Sequence, residues 1–151
     1  MYSKQETAQL IQSFWTSFGQ YMSPVPSAEG LKINWINYKT AVKDLHFKMY
    51  ATERFASISI ELNSTSLETQ TIAYQQLLQL KKLLRDALQE DWRWERHIPD
   101  ENNKIVSRIY TSREGVNIYK KEDWPAIISF LKPRIIALDA FWADVKYGFT
   151  V

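Results

Sequence analysis

The run Asp91–Tyr110, DWRWERHIPDENNKIVSRIY, decides the fold. Side chains alternate between faces along a strand, so Trp92 and Trp94 share one side, and Arg93, Glu95 and His97 share the other. The run reads as two strands joined by a polar turn. A paired hairpin of this kind needs more sheet and a covering layer, so the rest of the chain must supply both.

Upstream, Leu45 to Ala51 alternates, with Leu45, Phe47, Met49 and Ala51 on one side and His46, Lys48 and Tyr50 on the other. Ala56, Ile58, Ile60 and Leu62 form the matching apolar set, leaving Ser57, Ser59 and Glu61 outside. The two sets meet only if Ala51 pairs with Ala56 and Phe47 with Ile60, because a one-residue slip exposes a whole set. That register puts His46 opposite Glu61 and Asp44 opposite Asn63. Between the two hairpins, Thr65 and Glu68 have capping-box spacing. A long helix is expected from there to about Gln89, with Ala73, Leu77, Leu80, Leu84 and Ala87 as its inner stripe and Leu78, Leu83 and Leu88 widening it.

At the start, Ser3 and Glu6 also have capping-box spacing, and Leu10, Ile11, Phe14, Trp15, Phe18, Tyr21 and Met22 recur at helical intervals. Ser23–Gly30, with two prolines and a glycine, is a loop. Lys32–Tyr38 is expected to form a short strand. After the Trp hairpin, Arg113–Gly115 turns into a short strand at Val116–Tyr119. A last helix begins near Lys121, with Pro125 in its first turn. Pro133 is expected to kink or divide it. Ile127, Leu131, Ile135, Leu138, Phe141, Trp142 and Val145 carry its apolar face, and the apolar tail Tyr147–Val151 is expected to dock on something.

The chain has 151 residues, of which 45% are apolar, enough for one domain with a proper core. A net charge of +2 gives no electrostatic footprint for nucleic acid. With no cysteine, disulfides and thiolate zinc sites are excluded. No stretch is long and apolar enough to span a membrane, and the run MYSKQETAQL lacks the apolar stretch of a signal peptide, so none is expected. A cytoplasmic, bacterial-type protein is the expectation.

The segments FASISIELN, WRWERH, SRIY and EDWPAIISF, with a long helix between the first two, resemble an uncharacterised bacterial and archaeal family, domain of unknown function 4268. The resemblance spans most of the chain and is clearest from Phe55 to Phe130. Longer members carry a glycine before the Trp strand, where this chain has Glu90 and Asp91. Such domains often follow a nuclease-like domain, whereas here the domain is expected to stand alone. The family has no established activity, so the resemblance implies a fold and a neighbourhood.

The expected element order up to Arg96 is α-β-β-β-α-β, which resembles the core of the PD-(D/E)xK nucleases. The resemblance implies Mg²⁺ held by Asp44 and Glu61, with the metal activating water. The usual lysine position is Asn63, and Lys48 is the substitute across the hairpin. A second cluster joins Arg93, Glu95 and His97 to Arg108, as an anion clamp or an alternating-charge sheet face. A third gathers Asn34, Asn37, Tyr38, Lys39 and Lys43, residue types that stack on bases and contact phosphates.

The sequence therefore predicts an α+β domain over residues 1–151: a mostly antiparallel sheet packed by three long helices, with the nuclease-like core order preferred. The leading function is a non-catalytic binding module for nucleic acid, or for a protein partner in a nucleic-acid system, through Lys39, Lys43, Arg93, Glu95, His97 and Arg108. No cofactor is expected. The alternatives are a diverged Mg²⁺-dependent nuclease using Asp44, Lys48 and Glu61, and a self-associating structural protein whose homodimer would bury Phe149 or the last helix.

Overall fold

The computed structural model describes residues 3–149. Helix α1 spans Lys4–Met22. Ser3 Oγ accepts the Glu6 backbone N–H at 3.1 Å, and Glu6 Oε1 accepts the Ser3 N–H at 3.4 Å, so the capping box closes as its spacing implied. Phe14, Phe18 and Met22, four residues apart, are its fully buried stripe.

The strand expected at Lys32–Tyr38 does not form. Asn34 Oδ1 accepts the backbone N–H groups of Ile36 at 3.1 Å and Asn37 at 3.0 Å, folding the segment into a side-chain-closed turn. Trp35 Nε1–H donates back to the Val25 carbonyl at 2.9 Å, which holds the loop closed on itself.

Strands β1, Leu45–Ala51, and β2, Phe55–Leu62, pair antiparallel in the register the apolar alternation required, with Phe47 opposite Ile60 and Ala51 opposite Ala56. Helices α2, Leu67–Gln79, and α3, Lys81–Leu88, replace the single long helix expected. Ser66, not Thr65, caps α2 by accepting the Thr69 N–H at 3.2 Å. The break falls at Leu80, which leaves helical geometry at φ −98° and ψ 9°. It redirects the chain so that α3 lies against the last helix and buries Leu84 there. Leu78 and Leu83, expected to widen the inner stripe, are exposed.

Strands β3, Arg93–Pro99, and β4, Ile105–Glu114, form the Trp hairpin. Its turn is closed by Asp100 Oδ1, which accepts from the N–H groups of Asn102 and Lys104. β4 runs on to Glu114, and the strand expected at Val116–Tyr119 is instead a turn, in which Asn117 Oδ1 accepts the Tyr119 N–H at 2.9 Å. Helix α4 spans Trp124–Val145 after a short 3₁₀ turn at Lys121–Asp123.

Pro133 does not divide α4. An interior proline costs about 3 kcal/mol. Ile127 and Leu131 before it, and Ile135 and Leu138 after it, are fully buried, each contributing about 1.5–3 kcal/mol, which outweighs that cost. At the end of the chain Phe149 docks edge-on against Trp142, with ring centres 5.4 Å apart. The docking expected of the tail is thus met within the chain by Phe149. Thr150 and Val151 lie outside the described residues.

The sheet order is β1-β2-β4-β3, antiparallel throughout. The architecture is α+β, as expected, but the order is α-β-β-α-α-β-β-α rather than the nuclease-like α-β-β-β-α-β. The helices pack on the face carrying Leu45, Phe47, Ile58, Ile60 and Ile109, and one core fills that layer. Among the described residues, no helix covers the opposite face of the sheet.

Candidate binding face

Strand register sets the open face. One row runs His46–Glu61–Arg108–Glu95, the next Lys48–Ser59–Tyr110–Arg93, and a third Tyr50–Ser57–Ser112. The alternation that put Ser57, Ser59 and Glu61 on this side was right, but their exposure was not. All three are buried, Glu61 and Ser59 at 2% exposure each. β2 is a central strand with short side chains here, and the longer side chains of β1 and β4 close over it.

Glu61 is the electrostatic centre of the face. Its Oε2 lies 2.7 Å from Lys48 Nζ and its Oε1 3.2 Å from Arg108 Nε. The Tyr50 hydroxyl donates to Oε1 at 3.5 Å. Burial pushes the Tyr50 phenol above its ordinary value, and the Glu61 charge beside it adds to the rise. For Arg108, burial works to lower the pKa, but the charge of Glu61 and its hydrogen bond outweigh that and hold the guanidinium above its ordinary value. Arg108 Nη2 also reaches Glu101 in the β3–β4 turn at 3.4 Å.

Next to this group the face is hollow. The depression, about 510 Å³, is floored by Ser57, Ser59 and Ser112 and walled by Tyr50, Phe55 and Tyr110. Arg93 and Arg108, with Glu101 and Glu114, complete its rim. Ser59 Oγ is buried and has no hydrogen-bond partner among the described residues. The hollow's aromatic walls leave no signal in the strand alternation. Tyr50 was visible in the polar half of β1, but only the sheet order shows that it flanks the same floor as Tyr110.

The second predicted cluster is partly assembled. Arg93, Glu95 and Arg108 share the open face. The Tyr110 hydroxyl donates to Glu95 Oε1 and bonds to Arg93, the main cause of that guanidinium's raised pKa. His97 does not join them. A bulge between Glu95 and Ile98 inserts an extra residue, and His97 adopts a left-handed backbone at φ 53°. Its Nε2 lies 3.2 Å from Thr71 Oγ1 on α2, so the ring faces the helical layer.

The third cluster is absorbed by the fold. Asn34 closes its turn, Tyr38 stacks on Phe47 with ring centres 4.9 Å apart, and the Tyr38 hydroxyl donates to Asp139 of α4 at 2.6 Å. Lys39 lines a separate hollow with Asp139 and Lys146, away from the open face, and Lys43 is an exposed residue of the same loop. Lys39 therefore shares no hollow with Arg93 and Arg108.

Of the candidate nuclease residues, Glu61 and the substitute lysine Lys48 meet directly. Asp44 sits in the turn before β1 at φ 61°, where its carbonyl accepts the Asn63 N–H at 3.0 Å. These residues do not fit Mg²⁺: both Glu61 oxygens already serve cations, and no group of three His, Asp or Glu side chains able to hold a metal occurs among the described residues.

None of the described helices is long and apolar enough to cross a membrane. No curated protein and no solved structure matches the chain. A family model described as Domain of unknown function (DUF4268) matches residues 10–146, a span that takes in all four strands, α2, α3, α4 and most of α1. The chain belongs to the DUF4268 family.

Proposed function

We propose that this protein is a non-catalytic binding module and that its open sheet face recognises a protein partner. The observation that carries the reading is the composition of the face around the hollow. Tyr50, Tyr110, Arg93 and Arg108 converge there, and tyrosine and arginine are among the residues that dominate protein-interface energetics. A second property favours protein over nucleic acid. Lys48, Arg93 and Arg108 are matched on this face by Glu61, Glu95, Glu101 and Glu114, so a polyanion would meet as much repulsion as attraction. The resemblance to domains that follow nuclease-like ones directs the search for that partner toward proteins that act on nucleic acid.

The test compares wild-type protein with Tyr110→Ala, Arg93→Ala and an exposed helical-layer control, Lys82→Ala, in quantitative affinity capture. Labelled single- and double-stranded oligonucleotides are titrated in parallel at several salt concentrations. The reading expects a partner lost by both face variants and kept by the control, with little oligonucleotide binding. Oligonucleotide binding that falls steeply with salt and is abolished by Arg93→Ala would replace the protein partner with nucleic acid.

A further inference from the structure

We propose that the hollow on the open face receives one uncharged aromatic side chain of the partner, of the tyrosine or tryptophan type. This rests on the binding reading above and specifies what the face grips. Three features of the hollow point to that occupant.

The first is shape. Ser57, Ser59 and Ser112 make a floor of small residues between Tyr50, Phe55 and Tyr110. Tyr50 and Tyr110 stand on strands separated by β2 and in adjacent rows of the face, about 12 Å apart by two strand spacings and a two-residue step along the strand. That is room for a flat ring between flanking aromatic walls. At about 510 Å³ the space falls within the ordinary range for a binding cleft, about 300–1,000 Å³.

The second is charge. The rim carries Arg93 and Arg108 against Glu101 and Glu114. Arg108 is already shared between Glu61 and Glu101. A cationic anchor would face the two arginines, and an anionic one the two glutamates. A neutral anchor meets neither penalty.

The third is the buried Ser59 hydroxyl, with no partner among the described residues. This hydroxyl is already shut off from water, and an aliphatic anchor would leave its hydrogen bond unmade. Tyrosine and tryptophan combine a large apolar body with one polar group, and so can fill the hollow and bond its floor together.

The experiment is ¹⁵N–¹H correlation NMR of the full chain, titrated with N-acetyl-tyrosinamide, N-acetyl-tryptophanamide, N-acetyl-leucinamide and adenosine. The tyrosine or tryptophan amide is expected to shift the backbone signals of Tyr50, Ser59 and Tyr110 and to bind at least several-fold more tightly than the leucine amide. Ser59→Ala, which keeps size and fold, should weaken it about three- to tenfold. Equal binding of the leucine amide, or no effect of Ser59→Ala, would overturn the proposal. Adenosine in the hollow with no aromatic amide bound would overturn it and the protein-partner reading together. If no probe binds while capture of the partner still depends on Tyr110, the anchor proposal falls and the binding reading stands.

Discussion

Glu61 and Asp139 are both buried carboxylates, at 2% and 5% exposure, and they are held in opposite ways. Glu61, on the open face, is balanced by two cations, Lys48 and Arg108. Asp139, in the helical layer, accepts the Ala28 backbone N–H at 2.7 Å and the Tyr38 hydroxyl at 2.6 Å. The nearby Lys146 pairs with Glu29 instead, at 2.5 Å. The difference separates two jobs. Neutral donors fixed by the backbone make Asp139 a fastening for the loop between α1 and β1, gripped at both ends. Mobile cations on long stems make Glu61 the organiser of a surface.

If that contrast is right, removing Asp139 has the larger effect on stability. Asp139→Ala leaves a backbone N–H and a phenol without their acceptor, and each such bond to a charged group is worth about 1.5–3 kcal/mol. The expected loss is about 3 kcal/mol in urea unfolding, with faster hydrogen exchange confined mainly to residues 23–44. A loss below about 1 kcal/mol, or exchange raised evenly over the sheet, would break the comparison.

Glu61→Ala should cost less, about 1–2 kcal/mol. Breaking a fully buried ion pair costs about 3–5 kcal/mol. Here, however, the side chains of Lys48 and Arg108 are 39% and 21% exposed and can turn to water. Its larger effect should be functional: with Glu61 gone, Lys48 and Arg108 lose their fixed positions, and partner capture should drop as far as it does for Tyr110→Ala. A variant that folds less well yet captures the partner normally would show that Glu61 serves the fold alone.

How far each region was legible follows from the same physics. The β1–β2 register was readable because only one pairing buries both apolar sets. The placement of Glu61 near Lys48 followed directly. Its burial did not, because a two-residue period records which face a side chain takes and not whether its strand is central. His97 was misplaced by a bulge, since one inserted residue reverses the facing of the next and leaves no mark in the alternation. The break at Leu80 has no glycine or proline to announce it; packing of α3 on α4 decides it. At Pro133 a strong local signal does not divide the helix, because buried residues on both sides hold it together. Asp139 drew no attention because its partners, Ala28 and Tyr38, are more than a hundred residues away.

Alkaline pH distinguishes the two sites through their tyrosines. Burial is the main cause that raises Tyr38 and Tyr50 above the ordinary phenol value of 10.0, and each also lies beside a carboxylate, Asp139 and Glu61 respectively. The folded chain therefore keeps these protons while the unfolded chain releases them above about pH 10. The stability they contribute is fully present below that pH and is lost as pH rises toward the folded-state values. Each tyrosine steepens the fall by at most about 1.4 kcal/mol per pH unit, less where water reaches the ring. In urea unfolding between pH 8 and 11.5, Tyr38→Phe and Tyr50→Phe should each flatten the slope. Tyr38→Phe should also cost stability at neutral pH, because its bond to Asp139 is 2.6 Å against 3.5 Å for Tyr50 to Glu61.

Salt gives the smallest effect and the sharpest division. The Lys48–Glu61 pair reaches solvent on its lysine side, and such partly exposed pairs contribute about 0.2–1 kcal/mol. At 1 M salt the screening length shrinks to about 3 Å, close to the pair's own separation. Wild-type protein should lose a few tenths of a kcal/mol from this pair between low and high sodium chloride, and Lys48→Met should remove that loss. The lysine stem runs over the sheet, so methionine keeps its packing and isolates the charge. Among the described residues no cation forms an ion pair with Asp139, which is held by the Ala28 N–H and the Tyr38 hydroxyl, and Asp139→Asn should leave most of the wild-type salt response intact. Two buried acids that both answered to salt would mean that Asp139 also depends on a charge, and the division between a fastening and a surface organiser would disappear.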